Sequence, residues 1–69
     1  VEPKAIVGRN IKTARESAGL TQEQLAQRAG MLTHEISRLE RGVRDMRLTT
    51  AVKVAHGLGV PAADLLRGL

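Results

Sequence analysis

Apolar residues recur along this chain at helical intervals, and single glycines separate the runs. Val7, Ile11, Ala14 and Ala18 fall at i, i+4, i+7 and i+11, which brings their side chains to one face of a helix. Pro3 suits the opening of that helix and Gly19 its close, so the pattern predicts a first helix over about residues 4–18. Gly8 within it costs about 1 kcal/mol against Ala. It marks either a close approach by another element or a loose first turn.

The strongest local start signal follows. Thr21 is placed as an N-cap, Gln24 three residues on completes a capping box, and Leu20 and Leu25 form a hydrophobic staple. These predict a second helix over 22–29 with Leu25, Ala26 and Ala29 inward, Arg28 in the last turn and Gly30 as its stop. Leu32, Ile36 and Leu39 point inward from a third helix over about 33–41, ended by Gly42. Residues 43–47 show no period and read as a loop. Leu48, Ala51, Val52, Ala55 and Leu58 restore the stripe for a fourth helix over about 48–56, stopped by Gly57 or Gly59. Pro61 suits the first turn of a last short helix through Leu65 and Leu66. No segment alternates with period two for long enough to be a strand. The expected architecture is therefore all-α, one domain over 1–69 with roughly five helices.

Composition narrows what such a bundle can do. The chain has 69 residues, 42% hydrophobic and 26% charged, which fits neither a disordered tail nor a fibrous protein. A domain of this size buries roughly 60% of its unfolded surface, which leaves no room for a deep catalytic cleft beside the core. No nucleophile, base and orienting group are spaced to work together, so no enzymatic activity and no cofactor are expected. Cysteine is absent, which removes disulfides, zinc fingers and thiol chemistry. His34 and His56 lack a carboxylate spacing that would make a metal site, and Gly57-Leu58-Gly59 lacks the preceding strand of a dinucleotide loop. Met31 and Met46 read as core filler or a loop contact. With no Phe, Tyr or Trp, the chain has no platform for stacking unpaired bases. The longest apolar run, Ala5-Ile6-Val7, is far short of a membrane span or signal-peptide core. A soluble, cytoplasmic protein without a membrane partner is expected. With Val1 and not Met at its start, processing or excision from something longer is an expectation that composition does not decide.

Eleven Lys and Arg against 7 Asp and Glu give a net charge of +4, which suits an anionic partner. The second and third helices, joined by an abrupt turn, supply the means to read one. Ala26 is small where two such helices must cross, Gly30 frees the backbone for the turn, and Ile36 plugs the pair. At 100° per residue, with Leu32, Ile36 and Leu39 inward, the opposite face of the third helix presents Thr33, His34, Ser37, Arg38 and Arg41. Arginine can hold guanine O6 and N7 with two donors, while Thr, Ser and His can reach base acceptors or a thymine methyl. On this chemistry Thr33, His34, Ser37 and Arg38 are the candidate base contacts. The plainer alternative is a solvated helix face. Arg38, Arg41, Arg44 and Arg47 recur every third residue off the end of this helix, a series that would line a phosphate backbone. Gln22 could add its amide and nearby free N–H groups. Glu35 is a poor neighbour for phosphates; it either pairs with Arg38 at i+3 or accepts from a cytosine amine.

Three segments carry a family resemblance: Gly19-Leu20-Thr21-Gln22-Glu23-Gln24-Leu25-Ala26, Ile36-Ser37-Arg38-Leu39-Glu40-Arg41-Gly42, and Ala55-His56-Gly57-Leu58-Gly59-Val60. Nearly the whole chain resembles the phage-repressor-like helix-turn-helix regulators, the lambda-repressor/Cro or XRE type, and Gly8 also sits where that family often has glycine. The resemblance implies a compact five-helix bundle that docks its third helix in the major groove, usually as a homodimer on a palindromic operator. It also implies a phosphate contact at Gln22 and a structural salt bridge between Arg15 and Glu40. Leu32 stands where the family usually has a Ser or Thr cap, Met46 where it has a loop proline, and Pro61 where it has a cap serine. The function implied is sequence-specific binding of double-stranded DNA by a transcriptional regulator, a repressor acting by site occupancy. Two alternatives stand beside it: a protein-binding module of the same fold, of antitoxin or coactivator type, and the excised N-terminal DNA-binding domain of a longer regulator or enzyme.

Overall fold

Four α-helices and one 3₁₀ turn make up the computed structural model, which describes residues 2–69; Val1 lies outside the described residues. The helices are α1 (Pro3–Ser17), α2 (Gln22–Ala29), α3 (Thr33–Glu40) and α4 (Leu48–Leu58), and the 3₁₀ turn spans Ala62–Leu66. The fifth helix expected from the sequence is therefore not an α-helix. Pro61 stays extended as its N-cap and Gly68 takes a positive φ of 91°, so only five residues lie in the turn, too few to offset the cost of nucleating an α-helix. The Asn10 side chain also donates from Nδ2 to the carbonyls of Leu65 (2.9 Å) and Arg67 (2.8 Å). That ties the turn to α1 and satisfies backbone acceptors that a short helix end leaves open.

Two glycines set how closely the helices approach. A Cβ on Gly8 would run into the Leu39 carbonyl oxygen and stand 2.7 Å from that of Glu40, so α1 rests directly on the C-terminal end of α3. Gly57 does not end α4. It lies within the helix, where a Cβ would stand 3.1 Å from Leu25 Cδ1 and 3.2 Å from the Ala29 nitrogen, and it lets α4 pack on α2. Gly59, with φ 72°, provides the stop.

The core consists of Ile11, Leu25, Ala26, Ile36, Leu39, Ala51, Val54, Ala55, Leu58 and Leu65, with Val7, Ala14, Met31, Met46, Val60 and Ala62 packed against it. Four expected inward positions are instead exposed. Ala18 follows α1 as its C-cap and lies at the surface. Leu32 precedes α3 in extended conformation, so it does not continue the helical period of Ile36 and Leu39. Leu48 and Val52 lie outside the buried stripe of α4, which runs through Ala51, Val54, Ala55 and Leu58.

Candidate nucleic-acid interface

The approach to α3 is fixed by caps legible in the sequence. Thr21 accepts from the Gln24 backbone N–H at 3.0 Å, and Gln24 Oε1 accepts from the Thr21 N–H at 2.9 Å. These bonds fix the start of α2. At its other end Gly30 adopts φ 69°, and the Met31 N–H returns to the Ala26 carbonyl at 2.8 Å, a left-handed cap that turns the chain sharply toward α3. Leu32 has no side-chain acceptor for the α3 amides. Only half a capping box is present there: Glu35 Oε1 accepts from the Leu32 N–H at 2.9 Å.

On α3, Ile36 and Leu39 are buried, whereas Thr33, His34, Arg38 and Arg41 are exposed and Ser37 is half-buried. The candidate base contacts therefore share one outward face. Arg38 makes no ion pair among the described residues. Arg41 leans weakly on the Ser37 carbonyl at 3.4 Å, and Arg47 is exposed as the N-cap of α4.

Behind this face lies a polar node joining three helices. Arg15 of α1 donates from Nε to Glu40 Oε2 at 2.6 Å, from Nη2 to Glu40 Oε1 at 3.1 Å, and from Nη1 to the Leu20 carbonyl at 2.9 Å. Gln22 Nε2 of α2 adds a bond to Glu40 Oε1 at 3.0 Å. The side chains of Arg15 and Glu40 are only 13% and 3% exposed. The hydrogen bond to Glu40 holds Arg15 still more firmly protonated, against the opposing effect of burial. The Gln22 amide, a phosphate candidate by its sequence, is thus engaged inside the protein.

Glu35 departs from its expected partner. It pairs with Arg44, whose Nη1 lies 3.1 Å from Glu35 Oε2, and not with Arg38. The two side chains are 25% and 39% exposed, respectively. The Leu32 backbone N–H first, and Arg44 second, hold the Glu35 carboxyl below the usual carboxylate range. Arg44 therefore folds back on α3, whereas Arg41 and Arg47 remain exposed. Helical spacing offered no signal for this pair, nor for Gln22 with Glu40 or for Asn10 with the 3₁₀ turn, because each closes through tertiary structure.

Among the described residues no three His, Asp or Glu side chains form a group able to hold a metal, and no helix is long and apolar enough to cross a membrane. The helix-turn-helix family model matches residues 11–65, which span α1 from its middle to the 3₁₀ turn. An uncharacterised HTH-type transcriptional regulator, y4dJ of Sinorhizobium fredii, is 35% identical over 66 residues, covering 96% of this chain and 86% of its own. Among solved structures, the restriction-modification controller protein C.AhdI of Aeromonas hydrophila superposes with a TM-score of 0.87 at 29% identity, over 90% of this chain and 94% of that one. The clp gene regulator ClgR of C. glutamicum gives 0.90 at 27% identity, over 96% and 86%.

Proposed function

The chain belongs to the XRE-type helix-turn-helix family of transcriptional regulators, and on that premise we propose that it binds double-stranded DNA sequence-specifically and represses transcription by occupying its site. In this reading α3 enters the major groove. Arg38 and the neighbouring Thr33, His34 and Ser37 read base edges, while Arg41, Arg47 and the α2 start at Gln22 contact phosphates. The carrying observation is the exposed face of α3, which holds a guanidinium without a carboxylate partner among the described residues, on a helix whose other face is locked in the core. Two copies act together on a palindromic operator. Exposed Leu66 and Leu69 supply apolar surface for the pair, whereas Val60 is packed against the core.

The test begins with selection of bound duplexes from a random library, which is expected to yield two inverted half-sites about 34 Å apart, one turn of DNA. On the selected duplex Arg38→Ala is expected to cost about 1–3 kcal/mol, with little effect on random duplex. Arg41→Ala and Arg47→Ala are each expected to lower the slope of log K against log salt by about 1 without changing sequence preference. Equal losses on both DNAs would reassign Arg38 to phosphate. If no duplex is enriched at all, the DNA reading fails.

A further inference from the structure

Glu35 is the only acidic residue of α3 outside the buried node, since the other, Glu40, is held by Arg15 and Gln22. Three residues apart, Glu35 and Arg38 are separated by about 60° around the helix axis, and Glu–Arg pairs at this spacing attract one another. Left alone, such a carboxylate would draw Arg38 sideways along the helix. It would also set a negative charge at the edge of a face proposed to meet phosphates. Neither happens here, because both its oxygens have other donors: the Leu32 N–H on Oε1 and Arg44 Nη1 on Oε2.

We propose that Arg44 is a positioning residue for recognition: by holding Glu35 it keeps that carboxylate off Arg38 and cancels its charge, so that the Arg38 guanidinium stays available to a base. The inference rests on the DNA-binding reading above and gives Arg44 a different role from Arg41 and Arg47. A phosphate contact by Arg44 would have to break its ion pair and leave Glu35 bare beside the DNA. Among the described residues Arg41 and Arg47 have no ion pair to break. Glu35 is ionised at neutral pH, since its donors hold it below the usual carboxylate range, so the charge that Arg44 cancels is a full one.

The test is a four-way comparison of the full chain, Arg44→Ala, Glu35→Gln and the double variant. Binding is measured by titration with the library-selected duplex and with random-sequence duplex of the same length, at several salt concentrations. Arg44→Ala is expected to lose at least about tenfold on the selected duplex and to narrow the ratio between the two DNAs, the size of effect expected when one base contact is lost. The double variant is expected to recover to within about threefold of the unmodified protein, since no carboxylate remains to capture Arg38. Glu35→Gln alone keeps the cap to the Leu32 N–H, because Gln also offers an acceptor, and is expected to steepen the salt dependence by about one released ion as Arg44 is freed. The proposal is overturned if Arg44→Ala loses the same factor with Glu35 present or replaced and flattens the salt slope in both cases, for that is a direct phosphate contact. If Arg44→Ala melts below the assay temperature, the same comparison is made with Arg44→Gln, which retains most of the side-chain stem. Absence of salt-dependent duplex binding by the unmodified chain would remove the DNA reading and this inference with it, whereas intact binding with additive losses removes the inference alone.

Discussion

The two ends of α3 each carry a glutamate, and the two are used in opposite ways. At the C-terminal end Glu40, 3% exposed, takes three donor groups from two other helices. At the N-terminal end Glu35, 25% exposed, takes the N–H of its own N-cap residue and one guanidinium from the loop that follows the helix. A buried carboxylate cannot regain water if a partner is lost, so Glu40 fixes where α3 lies against α1 and α2. A half-exposed one can, so Glu35 contributes little to the fold and acts on the charges bordering the outward face. The same residue type five positions along one helix is thus a structural joint at one end and, on the proposed reading, an adjuster of the outward face at the other.

The sharpest way to break this comparison is to remove the joint. Arg15→Ala or Glu40→Ala is expected to cost about 3–5 kcal/mol in chemical denaturation, while replacing both with apolar residues of similar volume should cost much less than the sum. Arg15→Ala is expected to be the worse of the two. It strands a carboxylate that is 3% exposed with only Gln22 beside it, whereas Glu40→Ala strands a guanidinium that keeps the Leu20 carbonyl and is 13% exposed. In a domain of marginal stability either single variant would be largely unfolded and would lose DNA binding without touching a base. Additive effects below about 1 kcal/mol would mean that Glu40 is no more structural than Glu35.

A smaller effect sharpens the same contrast through the backbone. Gly8→Ala gains about 1 kcal/mol of helix propensity. Its new methyl, however, would meet the carbonyl oxygens of Leu39 and Glu40, and neither can move without shifting the end of α3. Overpacking of this kind costs about 1–3 kcal/mol, so a net loss of stability is expected, with the selected-to-random DNA ratio falling as α3 is displaced. A melting temperature above that of the unmodified protein would show that α1 does not bear on α3 as closely as the structure has it.

How far the sequence reveals this arrangement depends on how locally each feature is encoded. The Thr21–Gln24 capping box, the Gly30 stop and the inward positions Leu25, Ala26, Ile36 and Leu39 are set within a few residues, and the structure has them where periodicity and capping chemistry predict. The boundaries of α4 were less legible, because Gly57 reads as a stop until Leu25 and Ala29 are seen to need the space a side chain would fill. The last segment has helical residues but too few of them, and its capture by Asn10 across 55 positions leaves no periodic trace. Polar contacts divide the same way. The outward face of α3 follows from the 100° period, and the Arg15–Glu40 pairing entered only as an implication of family resemblance. The choice of Arg44 over Arg38 by Glu35 depends on how residues 43–47 fold back, where the sequence shows no pattern.

The smallest expected effect isolates the Glu35 end by pH. Its carboxyl is held below the usual range chiefly by the Leu32 N–H, then by Arg44, with protonated His34 acting in the same direction and burial opposing. Between the lowered folded value and the unfolded value near about 4.3, the unfolded chain binds more protons, so stability rises with pH across that interval. The contribution is fully present above the unfolded value and is lost as pH falls through the folded one. Glu35→Gln keeps an acceptor for the Leu32 N–H but has no charge to lose. The stability gap between it and the unmodified protein should therefore be steady from pH 7 to about 5 and should close below about 4. Because the pair is half-exposed, added salt should shrink the Arg44 share of the gap while leaving the cap to Leu32, a short hydrogen bond, largely intact. Parallel melting curves for the two proteins down to pH 2.5 would mean that neither donor favours the ionised form in the folded state. A gap between pH 5 and 7 as large as the loss caused by Arg15→Ala would erase the distinction between the two ends of α3, because a half-exposed carboxylate would then be as costly to disturb as a buried one.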